Sequence, residues 1–449
     1  MRKLYILRNA ALSCLLLAAT QFAIAQPNAA LLKTVSQMAY ADSARLVGIF
    51  KDIHTHPELG MTETRTAEIV AKALEGLGFK VYRGIGKTGV VGVLVNGNGP
   101  TVMYRADMDA LPVKEVTGLP YASTATVTSA DGKTVPVMHA CGHDAHVTWL
   151  IGIARVMVAL KSNWHGTLEL LAQPAEELIL GAQAMHDDTT YQKQIPVPDY
   201  LFGMHTSPAA LGIVMNPPGI RSSGSDQLDV TFHGVGGHGS SPQLAKDPIV
   251  MACEAVLQYQ TIISRFVNPQ TPAVLTVGSL QSGDANNVIP ASALVKINLR
   301  WFSKQTRDIL FSGIYRIDSG IALSNGLPPN LYPTTVTKGY CVPMDNDTAL
   351  VNTTNAWLAQ VVAPGMLHYA PTLPGMPSED FMHLVLGNNK TKRDYLQIGT
   401  APLDKVAEAH KQGKDFPFFN HNGNYMVDLG AMPLGVTIGS TVLLSALGK

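Results

Sequence analysis

The run Met138-His139-Ala140-Cys141-Gly142-His143-Asp144-Ala145-His146 crowds a thiol, imidazoles and a carboxylate into a short stretch. Three later pieces carry the same types: Gln173-Pro174-Ala175-Glu176-Glu177, Gly203-Met204-His205 and a lone His421. Thiolate, imidazole and carboxylate are the groups that hold zinc-class ions. Counted as candidate ligands they exceed what one tetrahedral ion takes up, so two ions sharing a site is the natural arrangement. The chemistry this predicts is metal-dependent hydrolysis.

Within the run, Cys141 and His143 stand two apart, so an extended segment would turn both side chains to one face. His146 lies a helical turn beyond His143 and is expected to face away or pack; His139 carries equally little weight as a ligand. Adjacent glutamates such as Glu176-Glu177 are often a solvated helix face. Here they follow an apolar strand, Leu168 to Ala172, which Gln173-Pro174 stops. One carboxylate on the metal, with its neighbour free to take a proton from water, is an economical hydrolytic arrangement. Asp107 and Asp109, in Arg105-Ala106-Asp107-Met108-Asp109-Ala110-Leu111-Pro112, either orient metal-bound imidazoles or cap a turn. Gly234-Val235-Gly236-Gly237-His238-Gly239-Ser240 lacks the Lys-Ser/Thr of a phosphate loop, and His238 suits a developing oxyanion better. Asn286-Asn287-Val288-Ile289-Pro290 and Arg300 are candidates for a substrate carbonyl and carboxylate, the guanidinium being matched to carboxylate geometry.

The elements that must position these residues alternate. Helices are expected over Leu31–Asp52 and Thr62–Leu77, the second stopped by Gly78. Strands are expected at Val90–Val95, Thr101–Tyr104, Thr167–Leu171 and Tyr200–Met204, and a helix over His146–Lys161 with apolar residues at helical spacing. This is an α/β class with a mostly parallel sheet, whose strand C-terminal ends would gather Asp107, Glu176 and His205 on one rim. After Asn216-Pro217-Pro218-Gly219 the register changes: strands at Leu228–His233, Ala273–Leu280 and Ala293–Trp301, helices at Pro248–Ser264 and Gln305–Ser324. The predicted organisation is therefore a catalytic domain over 26–215 and 335–449, with a smaller α+β lid or dimerisation domain inserted at 216–334.

The chain has 449 residues, too many for one ordinary core, and its 46% apolar content suffices for two. Lys+Arg and Asp+Glu both number 33, so net charge is zero and no basic stripe advertises nucleic acid or an anionic membrane. Arg2, Lys3 and Arg8, an apolar core from Ala10 to Ala19 and the small-x-small site Ala23-Ile24-Ala25 predict a signal peptide over 1–25. The core is too short to span a bilayer. Export to the periplasm or outside is the expectation, with no membrane association after cleavage. Cys141, Cys253 and Cys341 then remain. An odd number argues against a disulfide framework, and Cys253 and Cys341 either pair or are simply buried.

With these residues laid out, the chain resembles the co-catalytic metallopeptidases that include carboxypeptidase G and aminoacylase, and most of all their amidohydrolase branch of hippurate and indole-acetyl amino acid hydrolases. The motifs are His54 to Leu59, Arg105 to Pro112, His139 to His146, Gln173 to Glu177, Gly203 to His205, Gly236 to Pro242, Asn287 to Pro290 and Ser378-Glu379-Asp380-Phe381. The resemblance implies two divalent ions (zinc, manganese, cobalt or nickel) on Cys141, His143, Glu177, His205 and His421. It implies Glu176 as general acid/base, with His238 and Asn287 contacting substrate and His238 acting across a homodimer interface. The activity implied is hydrolysis of small N-acyl amino acids to a carboxylic acid and an amino acid, by hydroxide attack on the acyl carbon. A dipeptidase or aminoacylase is the neighbouring alternative. Two departures touch substrate fit: His421-Asn422-Gly423 replaces the branch's usual His-Ser-Pro, and the stretch Thr124–Pro136 is longer than usual. A non-catalytic metal- or peptide-binding protein of this fold would have lost a ligand or Glu176, and none is lost. A thiol hydrolase with Cys141 as nucleophile leaves the other ligand types unexplained.

Overall fold

The computed structural model describes residues 27–128, 132–370 and 375–448; the predicted signal peptide lies outside them. The main sheet has eight strands. Its centre is four parallel strands in spatial order Gly166–Gln173, Thr101–Asp107, Tyr200–Ala210, Lys392–Ala401. A hairpin, Lys80–Ile85 and Gly89–Asn96, adds antiparallel to the Gly166–Gln173 side. Two short strands, Val214–Met215 and Leu367–His368, finish the other edge. The class is the α/β one predicted, with a parallel centre and antiparallel margins.

Parallel central strands are covered on both faces and read as continuous apolar runs. Leu168, Leu170, Leu171 and Ala172 are fully buried, as are Val102, Met103 and Tyr104. The helices His143–Ala159 and Ala431–Leu447 pack on one face of this sheet. Both are buried nearly all round, which marks core helices rather than amphipathic surface ones. Among the described residues, no helix is long and apolar enough to cross a membrane.

Several boundaries differ from those predicted. The single helix expected over 31–52 is two, Ala29–Ala41 and Ser43–His54. Asp42 breaks it, its carboxylate taking Arg45 Nε at 3.1 Å and Arg155 Nε at 2.7 Å. The helix expected from His146 starts at His143, because Gly142 before it is left-handed at φ 83° and turns the chain into the first helical residue. Cys141 and His143 are therefore brought together by a tight turn and not by strand alternation. The strand Lys80–Ile85 went unpredicted, its exposed alternating residues offering little apolar signal.

A second, four-stranded antiparallel sheet runs Val274–Gln281, Ser292–Trp301, Gly224–His233, Thr334–Cys341. The helices Pro248–Thr261 and Lys304–Ser324 cover one face and enclose a separate apolar cluster around Phe232, Tyr259, Leu299 and Leu310. Thr334–Cys341 pairs with Gly224–His233, so the chain leaves this sheet after Cys341 and not at 334. The two crossings, Gly219–Ser222 and Met344–Asn346, pair with each other. Cys253 is exposed, Cys341 is buried, and both are free thiols.

Candidate metal centre and active site

Three neighbouring strand ends build the site. Asp107 ends its strand opposite Gln173, and the chain beyond Gln173 runs through Pro174 into Ala175-Glu176-Glu177. Ala175 sits in the left-handed region at φ 47°, a conformation that costs a non-glycine residue about 1–3 kcal/mol. Glu63 holds it: Oε1 accepts the Ala175 N–H at 2.8 Å, and Oε2 accepts the Thr88 hydroxyl at 2.7 Å. The outcome is that Glu176 and Glu177 both line one cavity. His205 arrives from the strand Tyr200–Ala210, between Gly203, which neighbours Arg105, and Gln397 on the far side.

The turn at Gly142 supplies the next wall. A Cβ there would lie 2.5 Å from Thr206 Oγ1, so only glycine allows this approach. Thr206 Oγ1 donates to the Cys141 carbonyl at 2.8 Å and accepts from the Tyr425 hydroxyl at 2.8 Å, latching the turn to the His205 strand and to the segment after His421. His421 is itself left-handed at φ 68°, with its N–H on the Ala140 carbonyl at 2.8 Å.

All five predicted ligand side chains meet here. Cys141 Sγ lies 3.6 Å from His205 Nε2, His421 Nε2 lies 3.3 Å from Glu177 Oε2, and His143 Nε2 lies 3.9 Å from Glu177 Oε1. Ligand atoms of Cys141, Glu177 and His421 fall within 4.8 Å of one another, as do those of His143, Glu176 and Glu177. Burial and the Glu177 charge raise the Cys141 thiol, but the imidazoles of His205 and His143 outweigh both and bring it down to about 6. A thiol there is readily held as thiolate, the form that binds metal. Hydrogen bonds with Cys141 and Glu177 raise His421 to about 10.

The donor set fits divalent cations on a separate observation. His143 Nε2 and Glu177 Oε1 are buried and have no hydrogen-bond partner. Leaving such atoms unpaired costs about 1–3 kcal/mol each, and a cation between them would remove that cost. The opposite nitrogen, His143 Nδ1, is committed to the Asp109 carbonyl at 2.8 Å, which presents Nε2 to the centre.

Asp107 and Asp109 both make contacts to candidate ligands. Asp109 Oδ2 accepts the Glu177 N–H at 3.0 Å, and Asp107 is fully buried among Arg105, His143 and His146. His146 packs, as expected. Its Nδ1 bonds Asp107 and its Nε2 accepts the Thr206 N–H at 2.9 Å, which leaves no ring nitrogen for a metal. His139 is buried with both ring nitrogens unpartnered, and burial lowers it to about 4.

The residues that sequence reasoning left without a role surround Glu176. Arg105, fully buried, donates to Gln173, Asp107 and Glu379, and the Tyr395 hydroxyl donates to Glu379 at 2.6 Å. The signal was visible, since Arg105 and Glu379-Asp380 both lie in motifs that carry the family resemblance. Burial, then the charge of Glu379, holds the Glu176 carboxyl well above the usual carboxylate range. A cavity of about 540 Å³ opens over these groups, lined also by Arg221, Arg300, Tyr395 and Asn420. Arg300 thus reaches the site. His238 and Asn287 do not line this cavity; they are exposed, side by side on a small ribbon where His238 pairs with Val288.

Comparison with known proteins gives the family. The sequence pattern of Peptidase family M20/M25/M40 matches residues 103–417. A hippurate hydrolase of Campylobacter jejuni subsp. jejuni is 41% identical over 300 residues, 66% of this chain and 74% of its own. An IAA-amino acid hydrolase of Arabidopsis thaliana is 33% identical over 348 residues, 75% of this chain and 74% of its own. The crystal structure of the Bacillus subtilis YXEP protein, a dinuclear metal binding peptidase, superposes with a TM-score of 0.69 at 25% identity, covering 91% of this chain and 99% of that one. The resemblance drawn from the motifs is thereby borne out, and the chain belongs to Peptidase family M20/M25/M40.

Proposed function

We propose that this chain hydrolyses the amide bond of N-acyl amino acids, releasing a carboxylic acid and a free amino acid. Membership of a peptidase family makes it an enzyme of amide hydrolysis. The substrate class rests on one observation: the buried proton-carrying candidate Glu176 shares a cavity with the ligand cluster and with the guanidinium of Arg300. The names of the relatives, a hippurate hydrolase and an IAA-amino acid hydrolase, support the same class.

Cys141, His143, Glu177, His205 and His421 would hold two divalent ions, of which zinc, manganese, cobalt and nickel all suit these donors. When bound, such ions supply Lewis acidity toward the scissile carbonyl and the attacking water. Glu176 is the group that moves the proton. Held above the ordinary carboxylate range by burial and by Glu379, its carboxylate takes a proton from the attacking water and passes it to the leaving nitrogen. Arg300 has a buried, unpartnered Nη1 and would bind the carboxylate of the amino acid moiety. His238 and Asn287, exposed away from this cavity, are proposed to serve the active site of a second copy in a homodimer formed through 216–334. Export through the 1–25 leader completes the reading.

The test is release of amino acid from hippurate and N-acetyl-L-methionine by the mature chain with manganese or zinc, repeated after chelation and after metal is restored. Chelator-reversible hydrolysis is expected. Hydrolysis indifferent to chelation would transfer the chemistry to the Cys141 thiol, and a metal-loaded chain inert toward every N-acyl amino acid would overturn the proposal.

A further inference from the structure

Two guanidinium groups line the cavity that holds Glu176 and Glu177, and among the described residues no acidic side chain forms an ion pair with either. Arg300 lies on the strand Ser292–Trp301, its Nε donating to Asn298 Oδ1 at 2.8 Å. Arg221 lies on the crossing strand Gly219–Ser222, where pairing with Met344–Asn346 slips. Ser222 faces Met344 and Ile220 faces Asp345, so Arg221 is the extra residue of a bulge. Bulges re-aim side chains, and this one leaves Arg221 on the cavity wall. Nη1 of each arginine is buried without a hydrogen-bond partner. Of the cavity's carboxylates, Glu177 and Glu379 are already engaged by His421 and by Arg105, and Glu176 packs against Glu379 and Asp380.

Arg221 and Arg300 are half-buried, and a guanidinium partly withdrawn from water without a counter-charge is costly, because no Coulomb attraction offsets the hydration it loses. Burial lowers the pKa of both arginines, and at Arg300 it outweighs the opposing Cys341 thiol. One such group is accounted for by the single carboxylate of an ordinary N-acyl amino acid. Two are not.

Resting on the hydrolase reading above, we propose that Arg221 and Arg300 form a paired anion subsite, and that the preferred substrate is an N-acyl amino acid carrying two carboxylates. The second carboxylate belongs either to an acidic amino acid side chain or to the far end of a dicarboxylic acyl group. Both present the planar anion that a guanidinium binds through two parallel hydrogen bonds.

The experiment compares kcat/KM of the manganese-loaded mature chain for N-acetyl-L-methionine, N-acetyl-L-glutamate and N-succinyl-L-methionine, in wild type and in Arg221→Met. At least one dicarboxylic substrate should exceed N-acetyl-L-methionine tenfold or more, and Arg221→Met should cut that ratio at least tenfold. Which of the two wins identifies the side that carries the second charge. A wild type that prefers N-acetyl-L-methionine, or a ratio untouched by Arg221→Met, overturns the proposal. Arg221→Gln, checked by thermal melting, serves if the methionine variant does not fold. If no substrate is turned over, the hydrolase reading fails by itself, and calorimetry then decides the subsite. The wild-type chain should bind N-acetyl-L-glutamate or N-succinyl-L-methionine at least tenfold more tightly than N-acetyl-L-methionine; equal affinities overturn the subsite.

Discussion

His143 donates its Nδ1 proton to the Asp109 carbonyl at 2.8 Å, and Asp109 Oδ1 lies 3.1 Å from the same nitrogen. The ring is thus fixed with Nε2 toward Glu177. Asp109 also accepts the Glu177 N–H through Oδ2, so one carboxylate sets two candidate ligands at once. Asp109→Ala should weaken metal affinity about 10–100-fold, read by competition with a chelating dye. Unchanged affinity would strip the Asp109 carboxylate of its orienting role and leave the ring to the backbone carbonyl alone.

Cys141 sits between His205 and the Asn420 amide, whose Nδ2 donates to the sulfur at 3.2 Å. Cys141→Ala removes the only thiol among the five donors and should lower the number of ions bound per chain, measured by elemental mass spectrometry. An undiminished stoichiometry takes Cys141 out of the ligand set.

Glu176→Gln keeps the shape of the side chain and removes its ability to carry a proton. Turnover should fall about 10²–10⁴-fold, with metal content nearly intact because Glu177, its neighbour, remains. Full activity in this variant would end the proton-transfer assignment.

Arg105 pairs with Asp107, Glu379 and Asp380, and all four are buried. Arg105→Met takes the guanidinium away from Glu379 and Asp380, which should destabilise the fold by about 3–5 kcal/mol. Urea unfolding measures this; a loss below about 1 kcal/mol would show that the carboxylates relax by taking up protons instead.

Asp318, buried against Tyr259 in the second core, is raised to about 7 by its burial, which outweighs the hydroxyl donated to it. The folded state therefore keeps a proton that the unfolded chain releases near the ordinary carboxylate range. Stability from this group is complete below about pH 4 and is lost as pH rises toward about 7, by about 4 kcal/mol at most. Asp318→Asn should flatten that slope in denaturation curves taken from pH 4 to 8. An identical slope in both proteins would place the titration elsewhere.

What the sequence determined by itself was chemical identity. Cys141, His143, Glu177, His205 and His421 are ligand types wherever they fall, and the Gln173-Pro174 stop after an apolar strand located Glu176-Glu177 at a strand end. Mostly apolar runs in the central strands, such as Leu168 to Ala172 around the single Glu169, likewise announced an α/β sheet, because burial on both faces favours apolar side chains. What only the tertiary structure decided is where side chains point and who partners them. His146 lies one turn from His143, yet both its nitrogens are consumed by Asp107 and Thr206, partners 39 and 60 residues away. Glu63 fastens the strained Ala175 across 112 residues, a contact with no local trace. His238 and Arg300 looked alike as substrate contacts, but only Arg300 reaches the cavity, and Arg221 joins it through a bulge that no periodicity encodes. Residue type is local information. Pairing of buried charges depends on which distant segments the sheet order brings together, and that is settled only when the chain has folded.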